Sequence, residues 1–194
     1  MTYPPARALE GVRVLELAHL IAGPTCGMYL ADMGADVIKV ESRESPDASR
    51  SVYGIARAGE GILHLTVNRN KRALCLDLAK PRGRDAFYQV VRTADVILEG
   101  YRNGVAEKLG IDYVTLRPLN PRLIYCSVSA FGPDGPWRKK PGLDALAQAV
   151  GGIMAVTGEA DGGPALVGAP VVDTIGGLLA SRAFSRHSSP GPLG

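Results

Sequence analysis

Five short apolar runs, most of them followed by a segment with helical spacing, set the pattern of this chain. Residues 12–17, VRVLEL, are β-branched and leucine-rich and predict a buried strand. A helix follows over AGPTCGMYLADMG, with Pro24 suited to its first turn and Gly34 to the position just past its end. Residues 36–41, DVIKVE, read as the second strand, and residues 42–61 as an irregular surface loop. A third strand is predicted over 72–78, then a helix from Pro81 to about Thr93. ADVILEG supplies the fourth strand, VAEKLG a short helix ended by Gly110, and RLIYCSVSAFG the fifth strand. After the turn-rich GPDGPWRKKPG, the stretch LDALAQAVGGIMAVTG reads as a helix and then a glycine-rich loop.

Near-continuous apolar strands alternating with helices argue for a parallel sheet covered on both faces. The expected architecture is therefore α/β, a Rossmann-like open sheet with helices on both faces, spanning residues 12–180. Residues 1–11 fall outside it as an N-terminal extension. DTIGGLLA begins a long apolar helix, but SRAFSRHSSPGPLG loses its apolar periodicity within a few residues. Residues 181–194 are accordingly expected to be a divergent, disordered tail or the scar of a truncation.

Composition narrows the function without naming it. The 194 residues suit one domain, and 46% hydrophobic with 21% charged residues is ordinary for a globular protein. A net charge of +3, with both signs interspersed, is too slight for a nucleic-acid surface and suits small anionic ligands. Three scattered cysteines without a CxxC pair fit a reducing compartment and core packing, and give no support for a metal site. No apolar run approaches the roughly 18 residues of a membrane span, and the start lacks a signal-peptide pattern, so the expectation is a cytoplasmic protein with no membrane partner.

Candidate chemistry is sparse. Neither GxGxxG nor GxxxxGK[ST] occurs, and no GxSxG elbow is present. Residues 22–24, AGP, stand where the first strand would turn into the first helix, a place suited to an anion or a thioester oxygen; a tight turn closed by proline is the simpler reading. His19 could face a cleft after the first strand or be a satisfied structural histidine; His64 falls in a loop or short strand. Lys71 and Arg72 could hold phosphates or form a solvated basic turn. Asp173 stands alone in VGAPVVDTIGG, where it could cap the helix that follows or act as a nucleophile; from these eleven residues alone a cap is the simpler account.

The blocks become specific together. GVRVLELAHLIAGP, GADVIKVE, NKRALCLDL, ADVILEGYRNGVAEKLG, NPRLIYCSVSAFG, GLDALAQAVGG and GAPVVD occur here in one order. The series closely resembles the class III CoA-transferase (CaiB/BaiF) family over about residues 8–180, a family that also contains the 2-methylacyl-CoA racemases. The resemblance implies that this chain supplies most of a large domain, without the small domain and the returning C-terminal segment. It also implies that the whole protein forms an interlocked homodimer.

On that resemblance Asp173 is the nucleophile of a CoA-transferase, passing CoA from an acyl-CoA donor to a free carboxylic acid through an aspartyl anhydride and an aspartyl-CoA thioester. No permanently bound cofactor is implied, since coenzyme A enters as substrate. A position just before a helix start is expected to favour the ionised, attacking carboxylate. Asp144 takes a supporting role beside the reaction centre, and Gln148 lies one turn on. CoA contacts carry over to Ile21 and Ala22, to Leu76, Asp77, Leu78 and Ala79, to Gly100, Tyr101 and Arg102, and to Lys108. Arg43 is placed at the CoA phosphates, although the family arginine aligns with Ser42.

Some positions depart from the family pattern. Gly100 stands where asparagine is common, and the usual lysine near LDL is shifted to Lys80. Ile21 stands where formyl-CoA transferase has glutamine, which disfavours a formyl or oxalate donor. Leu143 stands where the racemases need histidine, and a hydrocarbon cannot take up a proton, so transfer is preferred over racemisation. An inactive CoA-binding fragment is the non-enzymatic alternative.

Overall fold

A computed structural model describes residues 7–52, 54–57 and 59–187. Its frame is a five-stranded parallel sheet. The strands are β1 (Arg13–Leu17), β2 (Asp36–Glu41), β5 (Arg72–Cys75), β6 (Val96–Glu99) and β7 (Ile124–Ser127), laid side by side in the order β5-β2-β1-β6-β7. Two short strands, β3 (Ile55–Arg57) and β4 (Glu60–Gly61), form a separate antiparallel hairpin. The seven α-helices among the described residues are α1 (Ala22–Asp32), α2 (Ile62–Val67), α3 (Pro81–Val91), α4 (Val105–Leu109), α5 (Tyr113–Leu116), α6 (Asp144–Val150) and α7 (Val171–His187). Among the described residues no helix is long and apolar enough to cross a membrane.

Alternation along β1 shows why both faces are covered. Leu15 and Leu17 point into a core shared with Phe87 and Val91 of α3, Ile111, and Leu116 of α5. Val14 points the other way, into a core with Cys26 and Leu30 of α1 and Phe184 of α7. Side chains of a strand alternate between its faces, so one strand feeds two apolar layers. The expected doubly wound α/β sheet is the observed one.

The differences lie at the edges. β5 ends at Cys75 rather than continuing to residue 78, because the Asp77 carboxylate accepts the Ala79 N–H (3.0 Å) and turns the chain toward α3. Cys75 is exposed rather than a core residue, whereas Cys26 is buried. Residues 42–61 are more ordered than a surface loop: Asp47 and Ser49 are buried, and Arg50 pairs with Glu41 and Glu60 at 2.8 Å each. His64 stands on α2, where its Nδ1 meets the Ser49 hydroxyl at 2.9 Å. Lys71 is neither a phosphate ligand nor a solvated turn, since its ammonium is buried against Glu16 at 2.7 Å, and Arg72 pairs with Asp36.

Both domain boundaries move outward. Leu9 is buried and donates its N–H to Met33, so the fold reaches back into residues 1–11. At the other end α7 runs to His187 with Ser181 and Phe184 buried, which corrects the expected tail from 181; residues 188–194 lie outside the described residues. The periodicity was hidden because the packed stripe of α7 is built from small residues. Gly177, Ala180 and Ser181 face inward ahead of Phe184, while Ile175, Leu178 and Leu179 are exposed. Gly177 is required there: a Cβ would lie 2.5 Å from the Ala22 carbonyl oxygen and 2.8 Å from the Thr25 Cβ.

Candidate active site

Strand order reverses between β1 and β6, and a parallel sheet opens a crevice at such a point, beyond the carboxyl ends of its strands. A cleft of about 420 Å³ lies there. Its walls are the turn after β1 (residues 19–23), the segment after β6 (residues 100–103) and the segment after β7 (residues 128–132). Asp173 and Gly176 of α7 close it, with Leu143 and Ala147 beside them. Arg102, Arg138 and Lys140 bring positive charge to the same cleft.

Asp173 sits in the first turn of α7, not before it, so it cannot be the cap of that helix. The cap comes from elsewhere in the chain. Oδ1 of Asp144 accepts the N–H groups of Val172 (2.8 Å) and Asp173 (3.0 Å), reaching from the start of α6. The two N–H groups that a local cap would satisfy are thereby held by a remote carboxylate. The Asp173 carboxylate itself accepts no hydrogen bond from any described residue, which leaves it free to face the cleft.

This placement raises the Asp173 carboxyl to about 6, first through burial and then through the neighbouring Asp144 charge. The expectation that the helix start would favour the ionised form is therefore corrected. Asp144 already occupies the donors that would have stabilised a second anion, and adds like charge instead.

Gln148 fixes Asp144 in turn. Fully buried, it donates to Oδ2 of Asp144 and to the Ala169 carbonyl (3.2 Å), and accepts the Val167 N–H (3.0 Å). One side chain thus ties α6 to the segment leading into α7. Gln148→Ala orphans two backbone groups and one face of Asp144; a loss of about 2 kcal/mol is expected, read as a lowered melting temperature of the full-length protein.

Five of the residues placed at CoA by resemblance, namely Ile21, Ala22, Gly100, Tyr101 and Arg102, line the same cleft as Asp173. Six do not: Arg43, Leu76, Asp77, Leu78, Ala79 and Lys108 lie outside its walls. Leu78 is in the core, so any contact with a ligand there runs through the backbone. Arg43 and Lys108 are exposed cations away from the cleft.

Sequence reasoning missed the segment from Phe131 to Lys140. Phe131 and Trp137 meet edge to face at 5.4 Å, and Lys140 sits 4.5 Å over the Trp137 ring. Asn103 holds this loop by donating to the carbonyls of Gly132 and Arg138, both at 2.8 Å. The only available signal was the aromatic–basic mix in GPWRKK, which turn chemistry had already claimed.

The model of CoA-transferase family III matches residues 9–185, most of the chain. The chain belongs to that family. It is 43% identical over 193 residues to a succinate–glutarate CoA-transferase of Agrobacterium fabrum, covering 95% of this chain and 48% of the relative. A succinyl-CoA:mesaconate CoA-transferase of Haloarcula hispanica is 43% identical over 180 residues, 89% of this chain and 45% of that one. The crystal structure of a CAIB/BAIF family protein from Brucella suis superposes with a TM-score of 0.87 at 38% identity, covering 95% of this chain and 49% of the other. The chain spans about half the length of the relatives it matches.

Proposed function

We propose that this family III chain carries the nucleophile and the CoA cleft of an acyl-CoA:carboxylate CoA-transferase. The observation that supports the reading most is the half-buried Asp173, relieved of capping by Asp144 and facing a cation-rimmed cleft at the switch point. Its carboxylate attacks the thioester carbonyl, the C–S bond breaks, and CoA leaves as thiolate from a mixed anhydride. The thiolate then attacks the aspartyl carbonyl, forming an aspartyl-CoA thioester and freeing the donor carboxylate. The acceptor carboxylate attacks that thioester, CoA leaves again, and its thiolate takes the acceptor acyl group, restoring the Asp173 carboxylate. Acyl activation passes through the enzyme at every step, so neither ATP nor a resident cofactor is needed.

Leu143 lines the cleft and is 63% exposed, and its hydrocarbon supports transfer over racemisation. The relatives are named for succinate, glutarate and mesaconate, and the three cations of the cleft suit anionic substrates of that class. The full-length protein works, on this reading, as an interlocked homodimer. The uncovered apolar side chains of α7 and α6, Leu178, Leu179 and Val150 among them, are surfaces such an assembly would bury.

The deciding experiment is trapping. Full-length protein incubated with succinyl-CoA and then hydroxylamine should yield a hydroxamate on the peptide containing Asp173, found by mass spectrometry. An unmodified Asp173 in protein that turns over would overturn the reading. Because the attacking form is ionised, kcat/KM should fall as pH drops through about 6 and level off above it. Asp144→Asn keeps the acceptor oxygen but removes the like charge, so the midpoint should move to lower pH.

A further inference from the structure

Beneath the turn after β1 lies a set of charges to which transfer chemistry assigns no part. Glu16, Lys39 and Asp47 are almost completely buried, at 0%, 2% and 1% exposure. The Lys39 ammonium sits 2.9 Å from Oε1 of Glu16 and 2.8 Å from Oδ2 of Asp47. Lys71 closes the set on Oε2 of Glu16 at 2.7 Å, giving two positive and two negative groups. Burial works against the ionised Asp47, yet the Lys39 charge and the N–H groups of Leu20 and Ser49 outweigh it and hold the carboxyl well below its ordinary range. A buried ion network gains little stability over well-packed apolar residues, so its presence calls for another account.

Its hydrogen bonds supply one. Lys39 donates to the Ala18 carbonyl at 2.7 Å, and Oδ1 of Asp47 accepts the Leu20 N–H at 3.0 Å. The peptide groups on both sides of His19 are thus gripped by one ion pair. Leu20 is held at φ 64°, a left-handed conformation that a branched side chain does not adopt without an outside constraint. His19 then lines the cleft, with its ring 6.1 Å from that of Tyr101.

We infer that Lys39 and Asp47 are positioning residues for the cleft: together they set the backbone of residues 18–20 and so aim His19 and the following Ile21–Ala22 turn at the bound thioester. The inference rests on the reading of this cleft as the CoA site. It gives the buried ions a functional task and predicts that substrate binding depends on a side chain within β2 and another in the loop beyond it, neither of which lines the cleft.

The test separates geometry from stability. In the full-length protein, Asp47→Ala, which removes the acceptor of the Leu20 N–H, should weaken CoA binding by at least about 10-fold in calorimetry, with KM for the acyl-CoA rising in step and kcat changing far less. Asp47→Ala also leaves an uncompensated buried cation and should melt lower than the parent. The double variant Lys39→Met/Asp47→Ala restores a neutral buried set while removing both contacts to residues 18–20, so its melting temperature should recover toward the parent's while its CoA affinity stays low. Affinity that returns with the melting temperature, or parental affinity in either variant, would overturn the inference while leaving the transferase reading intact. A parent protein that does not bind CoA at all would instead sink that reading, and this inference with it.

Discussion

Asp173→Asn in the full-length protein is expected to lower CoA transfer by at least about 10³-fold while leaving CoA affinity within a few-fold of the parent. On the proposed route, an amide at this position retains the volume but cannot open a thioester and form the anhydride, so every later step is lost. Transfer assayed by mass spectrometry, beside a check that the asparagine has not deamidated, measures it. Stability should move the opposite way. The native Asp173 carboxyl is raised to about 6, above its unfolded value, so the folded state holds its proton more tightly and loses stability as pH rises between the two. The deficit persists above pH 6. Allowing for solvent screening at a half-buried group, removing it stabilises by about 1 kcal/mol, which is about 2–4 °C in melting temperature at pH 8. Full transfer activity in a verified Asp173→Asn protein would remove the basis of the functional reading.

Gly177→Ala is expected to be the most damaging small substitution in the helix that carries Asp173. The added Cβ would meet the Ala22 carbonyl oxygen at 2.5 Å and the Cys26 nitrogen at 3.1 Å, both backbone atoms of α1. Backbone cannot rotate aside, so α7 must move outward by the missing fraction of an ångström or more. Overpacking of this kind costs about 2–3 kcal/mol, roughly 4–12 °C in melting temperature. Because α1 begins at Ala22 in the turn that walls the cleft, the displacement also separates Asp173 from that wall, and transfer should fall more than binding. Gly176→Ala is the control. A Cβ there meets no neighbour within 4 Å, and it should melt like the parent. Equal melting of the two variants would contradict the packing described for α7.

How much of this is legible in the sequence depends on how local each feature is. The sequence places β2 over the residues it occupies because Val37, Ile38 and Val40 are β-branched and bounded by polar positions. The short helix ended by Gly110 was read because a glycine at φ 68° is what a left-handed cap needs. The stripe of α7 is not legible: ahead of Phe184 its inward positions are glycine, alanine and serine, and Ile175, Leu178 and Leu179 are exposed, so hydrophobic periodicity marks the wrong face. Helix α2 was lost for a related reason, since ILHLTV is β-branched at both ends and carries exposed Ile62 and Leu65.

The site divides in the same way. Only the seven blocks in order single out Asp173 as a candidate, because its own eleven residues suit a cap at least as well. That Asp144 does the capping was beyond reach of any local pattern, as donor and acceptor lie 28 and 29 residues apart. The grip of Lys39 and Asp47 on residues 18–20 is hidden for the same reason, with separations of 21 and 27 residues.

The remote cap also orders events in time. All five strands of the sheet lie between Arg13 and Ser127, whereas α6 and α7 emerge later from a ribosome. A nascent chain can therefore complete its scaffold while Asp173 has not yet been synthesised, and the surroundings of that acid are then assembled from outside by α6. Opening the mature protein can retrace that sequence in reverse, with the first turn of α7 exchanging its amide hydrogens while the strands remain protected.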